Sequence, residues 1–176
     1  MPSSTLTTQG RAALAHALST QPLHIAWGTG LEAWDTMPED QLPSLVERTE
    51  LYNEVGRRLV TNFFFVNEDP DGDIVIPLET TVDGTIQKAR YSKAEGITPN
   101  LYVCVYFDYE DAANAIIREA ALFAGARTDP SLPAGQRYFL PSEIVEPGFF
   151  VAAQLIKPAK NRSPAIRETM EFVLPI

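Results

Sequence analysis

The chain has 176 residues, 45% hydrophobic and 21% charged, close to the globular averages of about 45–50% and 25%; disorder, collagen and a disulfide scaffold are excluded, and one domain spanning residues 1–176 is expected. Acidic residues number 23 against 14 basic, a formal charge of -9, and such a field repels a phosphate backbone, so no nucleic-acid partner is expected. A single Cys104 allows no internal disulfide, no basic segment precedes an apolar stretch at the start, and no run nears the ~18 apolar residues of a membrane span, so neither export nor membrane insertion is expected.

Residues 7–19 place Ala13, Leu14, Ala17 and Leu18 at helical spacing, with Thr7 or Thr8 available to accept a backbone N–H. That predicts a short amphipathic helix. After Pro22, Leu23, Ile25 and Trp27 alternate with His24 and Ala26, the signature of a strand with one buried face, His24 pointing outward, closed by Gly28 and Gly30. Pro38 and Pro43 among acidic residues make 31–44 a loop with short helical turns. The run RRLVTNFFFV at 57–66 is rich in β-branched and aromatic residues and reads as one strand ending at the turn-forming NEDPDGD. Residues 74–77 and 81–90 read as short strands, the latter folded at the hairpin dipeptide Asp83-Gly84, so the middle of the chain is a β-meander.

The run at 100–109 sets Leu101, Val103, Val105 and Phe107 on one face and Tyr102, Cys104 and Tyr106 on the other, a strand covered on both sides. In residues 112–124 the Ala and Leu content favours helix, with a strand around 116–123 as the alternative. Residues 149–156 and 168–174 are further strands, separated by a loop, KPAKNRSPAIR. The fold class is therefore mainly β: an antiparallel β-sandwich-like domain with a short N-terminal helix and long loops.

Motifs that carry chemistry fail on their context. Gly28-Thr29-Gly30 through Ala33 matches a dinucleotide fingerprint, but Pro38 and Pro43 interrupt the helix whose N-terminus would hold a pyrophosphate. Asp69, Asp71 and Asp73 resemble the opening of a calcium loop, yet Ile74 and Thr80 stand where that loop needs Gly and Glu; a solvated turn is expected. His16, His24 and one Cys cannot assemble a Cys₄ or Cys₂His₂ zinc site, and Cys104 lies in an apolar strand that disfavours its thiolate. Glu39-Asp40 and Glu110-Asp111 read as solvated loop carboxylates. No catalytic residue, metal ligand or cofactor site is expected, and the chain is not expected to be an enzyme.

Charge is unevenly spread. Residues 32–54 carry seven acidic side chains and Arg48, a net of -6, whereas from 151 onward Lys157, Lys160, Arg162 and Arg167 oppose Glu168 and Glu171, a net of +2. Such asymmetry orients association. With Pro158 and Pro164 stiffening the loop, Lys157, Lys160, Arg162 and Arg167 are the expected protein-interface residues, facing an acidic neighbour.

LTTQGRAALAHAL, LHIAWGTG and LYNEVGRRLV, followed by NLYVCVYFD, an IREAALF segment and a closing strand pair around the loop that opens KPAK, stand in co-linear order. The chain in this respect resembles bacteriophage tail-collar fibre and baseplate proteins, over about three quarters of its length, with residues 61–99 not distinctive. The resemblance implies a structural virion protein of the tail, at the baseplate or the tail-fibre attachment point. Its partners would be other phage tail or baseplate proteins and tail fibres, in multiple copies, on a particle assembled in the host cytoplasm. It implies no catalytic residue and no cofactor, and it favours strand for IIREAALF. The alternative is a small-molecule or carbohydrate-binding β-sandwich with an aromatic-lined pocket.

Overall fold

Strands dominate the computed structural model, which describes residues 4–82 and 85–176. After α1 (Thr8–Ser19) come β1 (Leu23–Gly28), β2 (Glu54–Leu59), β3 (Asn62–Glu68), β4 (Ile74–Val82), β5 (Thr85–Lys93), β6 (Asn100–Phe107), β7 (Ile116–Ala124), β8 (Arg127–Thr128), β9 (Tyr138–Phe139), β10 (Ile144–Glu146), β11 (Phe149–Asn161) and β12 (Glu168–Pro175). One five-stranded sheet has the order β11-β7-β1-β2-β9, another the order β12-β6-β3-β5-β4, and β8 pairs with β10. The registered strand pairs are antiparallel. The mainly β, antiparallel class expected from the sequence is what the structure has. No helix among the described residues is long and apolar enough to cross a membrane.

The chain divides into two compact units. One comprises residues up to Thr20, Thr61–Cys104 and Glu171–Ile176; the other comprises Gln21–Val60 and Val105–Met170. In the first, Val66, Tyr91, Tyr102 and Cys104 form a buried cluster packed by Phe64, Ile74, Ile76, Ala89 and Val173. In the second, Ala26, Leu51, Ala121 and Phe123 are packed by Phe150 and Ala153.

Several expectations change, each for a local reason. The helix is capped as predicted, Thr7 Oγ1 accepting from the Gly10 N–H at 3.0 Å, but its buried residue is Ala15, while Ala13, Leu14 and Ala17 are exposed. All six residues of β1 are buried, because the strand lies between β2 and β7 and has no solvent edge. His24 is therefore inside, edge-on to Phe139, and its Nδ1 has no hydrogen-bond partner among the described residues. Burial, reinforced by Arg57, lowers its pKa to about 4.

The single strand expected at 57–66 is two. Val60 donates its N–H to the Leu23 carbonyl at 2.8 Å, and from Thr61 the chain enters the other sheet. The helix expected from the composition of 112–124 is instead a turn and the strand β7. Its Ala120 and Ala121 are wholly buried between β1 and β11, where a crowded central position takes small residues and overrides helix propensity. The meander strands are nine residues each rather than short, and the Asp83-Gly84 hairpin dipeptide lies outside the described residues. The first half of the KPAKNRSPAIR loop is strand: after a register shift past Leu155, Lys160 and Asn161 rejoin Ile117 and Ile116. The connecting loop shrinks to residues 162–167. In β6 the Leu101, Val103, Val105 and Phe107 face is buried as expected, and Tyr102 and Cys104 are buried behind it; Tyr106 is exposed.

Candidate interaction surface

The turn at 108–115 and the loop at 162–167 are held together from beneath by Arg162. Its guanidinium is buried and donates to three backbone carbonyls: Asp108 at 2.7 Å, Asp111 at 3.2 Å and Ile166 at 2.9 Å. Its backbone N–H reaches the Ala115 carbonyl at 2.9 Å, and its cationic plane lies 5.2 Å from the Trp27 ring centroid. Beside it the Asp111 carboxylate accepts from Arg58 and, at 2.7 Å, from the Asp108 N–H. This frame maintains Ala112 and Asn114 at φ of 51° and 66°, a left-handed conformation that costs a residue with a Cβ free energy.

Three side chains stand on this frame: Tyr109, Ile166 and Arg167, respectively 43%, 55% and 60% exposed. Arg167 Nε donates to Asp108 Oδ1 at 2.9 Å, and its guanidinium lies 5.1 Å from the Tyr109 ring centroid. The Arg167 bond, helped by the Tyr109 N–H, holds the Asp108 carboxyl below the usual range. The result is an aromatic ring, an aliphatic side chain and a guanidinium presented on two mutually locked turns.

The acidic segment is pinned at its far end. Arg48 donates to Glu119 Oε2 at 2.7 Å and to the Glu50 carbonyl, and lies 4.4 Å from the Tyr52 ring centroid. Glu119 also accepts from the Tyr52 N–H at 2.5 Å. Its carboxyl is fully buried, and desolvation raises its pKa while the Arg48 bond opposes the rise. Nearby, Arg118 makes a two-pronged bond to Asp35, both at 2.8 Å, and donates to the Thr29 carbonyl. The glycines of the fingerprint-like run serve packing: a Cβ on Gly28 would strike Glu119, and one on Gly30, at φ 56°, would strike the Trp34 ring. Beyond them the chain makes a 3-10 turn, Glu32–Asp35. The Asp69 run is a turn, with the Asp71 N–H on Asp69 Oδ1 at 3.0 Å. A groove of about 290 Å³ beside Arg118 is lined by Asp35, Ile116, Pro158, Ala159 and Asn161, without an aromatic ring.

The four interface residues named from the sequence take different places. Arg167 is on the surface just described. Lys160 is half-buried and paired with Glu168 at 2.8 Å, and Lys157 donates to the Met37 carbonyl. Arg162 is interior. Sequence reasoning missed Tyr109, Ile166 and Arg58, and it read Asp111 as a solvated loop carboxylate where the structure buries it and pairs it with Arg58, since nothing in DYEDAANA announces that its turn closes on a loop some fifty residues away.

A family model described as "Baseplate wedge 3 tail fiber network component" matches residues 3–176. No curated protein matches the chain.

Proposed function

This chain belongs to the family of baseplate wedge 3 tail fibre network components, and from that premise we propose that it is a structural subunit of the phage tail that works through protein–protein contacts. It carries out no catalytic step, holds no cofactor and touches no nucleic acid; it enters the tail in multiple copies, during assembly in the host cytoplasm, beside other baseplate and fibre proteins. The observation that supports this reading is the Tyr109, Ile166 and Arg167 surface. Tyr and Arg are the residue types enriched among those that dominate interface energetics. Because Arg162 locks both turns in advance, docking there loses little further conformational freedom.

The competing reading, a module for small molecules or carbohydrates, gains nothing from the groove beside Arg118, which has no aromatic platform. The proposal is tested by exchanging Tyr109→Ala and Arg167→Glu together in the phage. Tails are expected to lose the subunit while the purified variant keeps its circular dichroism and melting temperature. Normal incorporation and full infectivity would move the contact elsewhere, first to the acidic 32–54 segment.

A further inference from the structure

β1 and β2 are antiparallel neighbours with Gly28 opposite Glu54, yet residues 29–53 connect them where about two to five would close a hairpin. The excess is closed off from the sheet at a neck. The Thr29 N–H meets the Asn53 carbonyl at 3.2 Å, and the Gly30 N–H meets the Tyr52 carbonyl at 3.1 Å. Beyond the neck each end has a foot: on one side Trp34 is buried over Gly30 and Asp35 is bound by Arg118, and on the other Leu51 is buried and Arg48 is bound by Glu119.

Between the feet the chain is held differently. No residue from 36 to 47 is buried, and Val46 is 86% exposed. The hydrogen bonds of this segment stay within residues 33–48, with one exception among the described residues: the exposed Lys157 ammonium donates to the Met37 carbonyl. Lys157 stands where β11 leaves its partner. Leu155 pairs with Glu119 and Lys160 with Ile117, so residues 156–159 bulge from the β7 ladder. Leu42 and Trp34 line a small cleft with Leu155 and Ile156, and the Asp35–Arg118 pair divides that cleft from the groove of Ile116, Pro158 and Ala159.

We infer that residues 36–47 are a flap that opens on its two feet, with Lys157 as its latch, and uncovers Leu155 and Ile156 while the sheet stays paired. Three observations carry this. The neck bonds close the β1–β2 pair without the flap, so opening breaks no ladder hydrogen bond. Glu39, Asp40 and Glu47 lie in the flap with no Lys or Arg among residues 36–47 and no ion-pair partner among the described residues, and their mutual repulsion favours the open form. The closed form is held by half-buried Leu42, Pro43 and Leu45 and by one exposed latch, the low local stability from which lids are drawn. The flap thereby sets how much of this apolar strip of β11 the subunit presents. It does not depend on the Tyr109 surface and is tested separately, on the isolated full-length protein.

A cysteine is placed beneath the flap, as Leu155→Cys or Ile156→Cys, and its reaction with a thiol reagent is followed by mass; Cys104 is buried and does not compete. Both sites are expected to react more slowly than an exposed Val46→Cys control, and at a rate that rises with urea less steeply than global unfolding does. Lys157→Met keeps the stem and removes the donor, and should raise both rates about fivefold or more. Glu39→Gln, Asp40→Asn and Glu47→Gln together should lower them, with the urea midpoint unchanged in either variant. Reaction that tracks global unfolding overturns the proposal, as do rates unchanged by Lys157→Met or by the triple variant. Should a cysteine beneath the flap destabilise the fold, spin labels at the exposed positions of Val46→Cys and Ser131→Cys give the same comparison: a second distance that gains population with Lys157→Met supports the flap, and a single unmoved distance overturns it.

Discussion

The Phe107 ring lies flat on the Trp27 ring, centroids 3.5 Å apart and planes 13° from parallel, with both side chains fully buried. Tyr138 meets the same Phe107 edge-on at 6.3 Å, and Arg162 lies over Trp27, so one stack connects the end of β6, the C-terminal end of β1, β9 and the loop after β11. Trp27 Nε1 is buried and has no hydrogen-bond partner among the described residues.

Truncating this stack tests its weight. Phe107→Ala should lower the unfolding free energy by about 3–5 kcal/mol, since a fully buried ring leaves a cavity that rigid neighbours fill poorly. Chemical denaturation measures it, and a change under about 1 kcal/mol would mean that the ring is not part of a packed core.

Arg162 and Arg167, five positions apart on one loop, should behave in opposite ways. Arg162→Ala strips three backbone carbonyls of a charged donor, that of Asp111 buried and those of Asp108 and Ile166 partly so, and an unsatisfied buried polar group costs about 1–3 kcal/mol, so a loss of about 2–3 kcal/mol is expected. Arg167→Ala removes an exposed pair and should leave the melting temperature near that of the wild type. Hydrogen exchange at residues 108–115 should accelerate in the first variant and hold steady in the second; equal effects would refute the division of labour.

Local pattern revealed what local physics decides. The Leu101 to Phe107 alternation, the Thr7 cap and the proline-broken 31–44 loop were all legible, because each depends on neighbours within a few residues. What escaped depends on placement. His24 looked outward-facing because alternation implies one solvated face, and a central strand has none. Ala120 and Ala121 favoured helix until the sheet required small residues there. Arg162 counted as surface charge because composition does not reveal that a cation's partners are carbonyls from a turn about fifty residues earlier. The family resemblance supplied the functional class, which composition alone did not.

Arg48 and Glu119 form an internal ion pair, the carboxylate wholly buried. Arg48→Ala leaves the Glu119 carboxylate buried without its cation, and breaking a buried pair from one side costs about 3–5 kcal/mol. The double variant Arg48→Ala with Glu119→Gln should recover part of that loss, because it also removes the stranded charge. Urea unfolding of the three variants decides it; no recovery in the double variant would show that Arg48 acts mainly through its contacts with Tyr52 and Trp34.

His24 makes stability depend on pH over a window that surface carboxylates leave alone. Its folded pKa of about 4 lies below the usual value of 6.5, so the unfolded chain takes up a proton first as pH falls. A group depressed in this way costs nothing above pH 6.5, and stability is lost progressively from there down to about pH 4. The loss attributable to this one ring is about 2 kcal/mol by pH 5. Asp35 and Asp108 are themselves held below the normal carboxylate range by Arg118 and Arg167, so their contribution begins at lower pH. His24→Phe keeps an aromatic edge toward Phe139 and removes the unpartnered buried nitrogen, and should flatten the profile between pH 7 and 5. Unfolding free energies at pH 7, 6 and 5 for both proteins measure the difference. If the wild type and His24→Phe fall in parallel over that range, the imidazole is not the group whose protonation destabilises the fold.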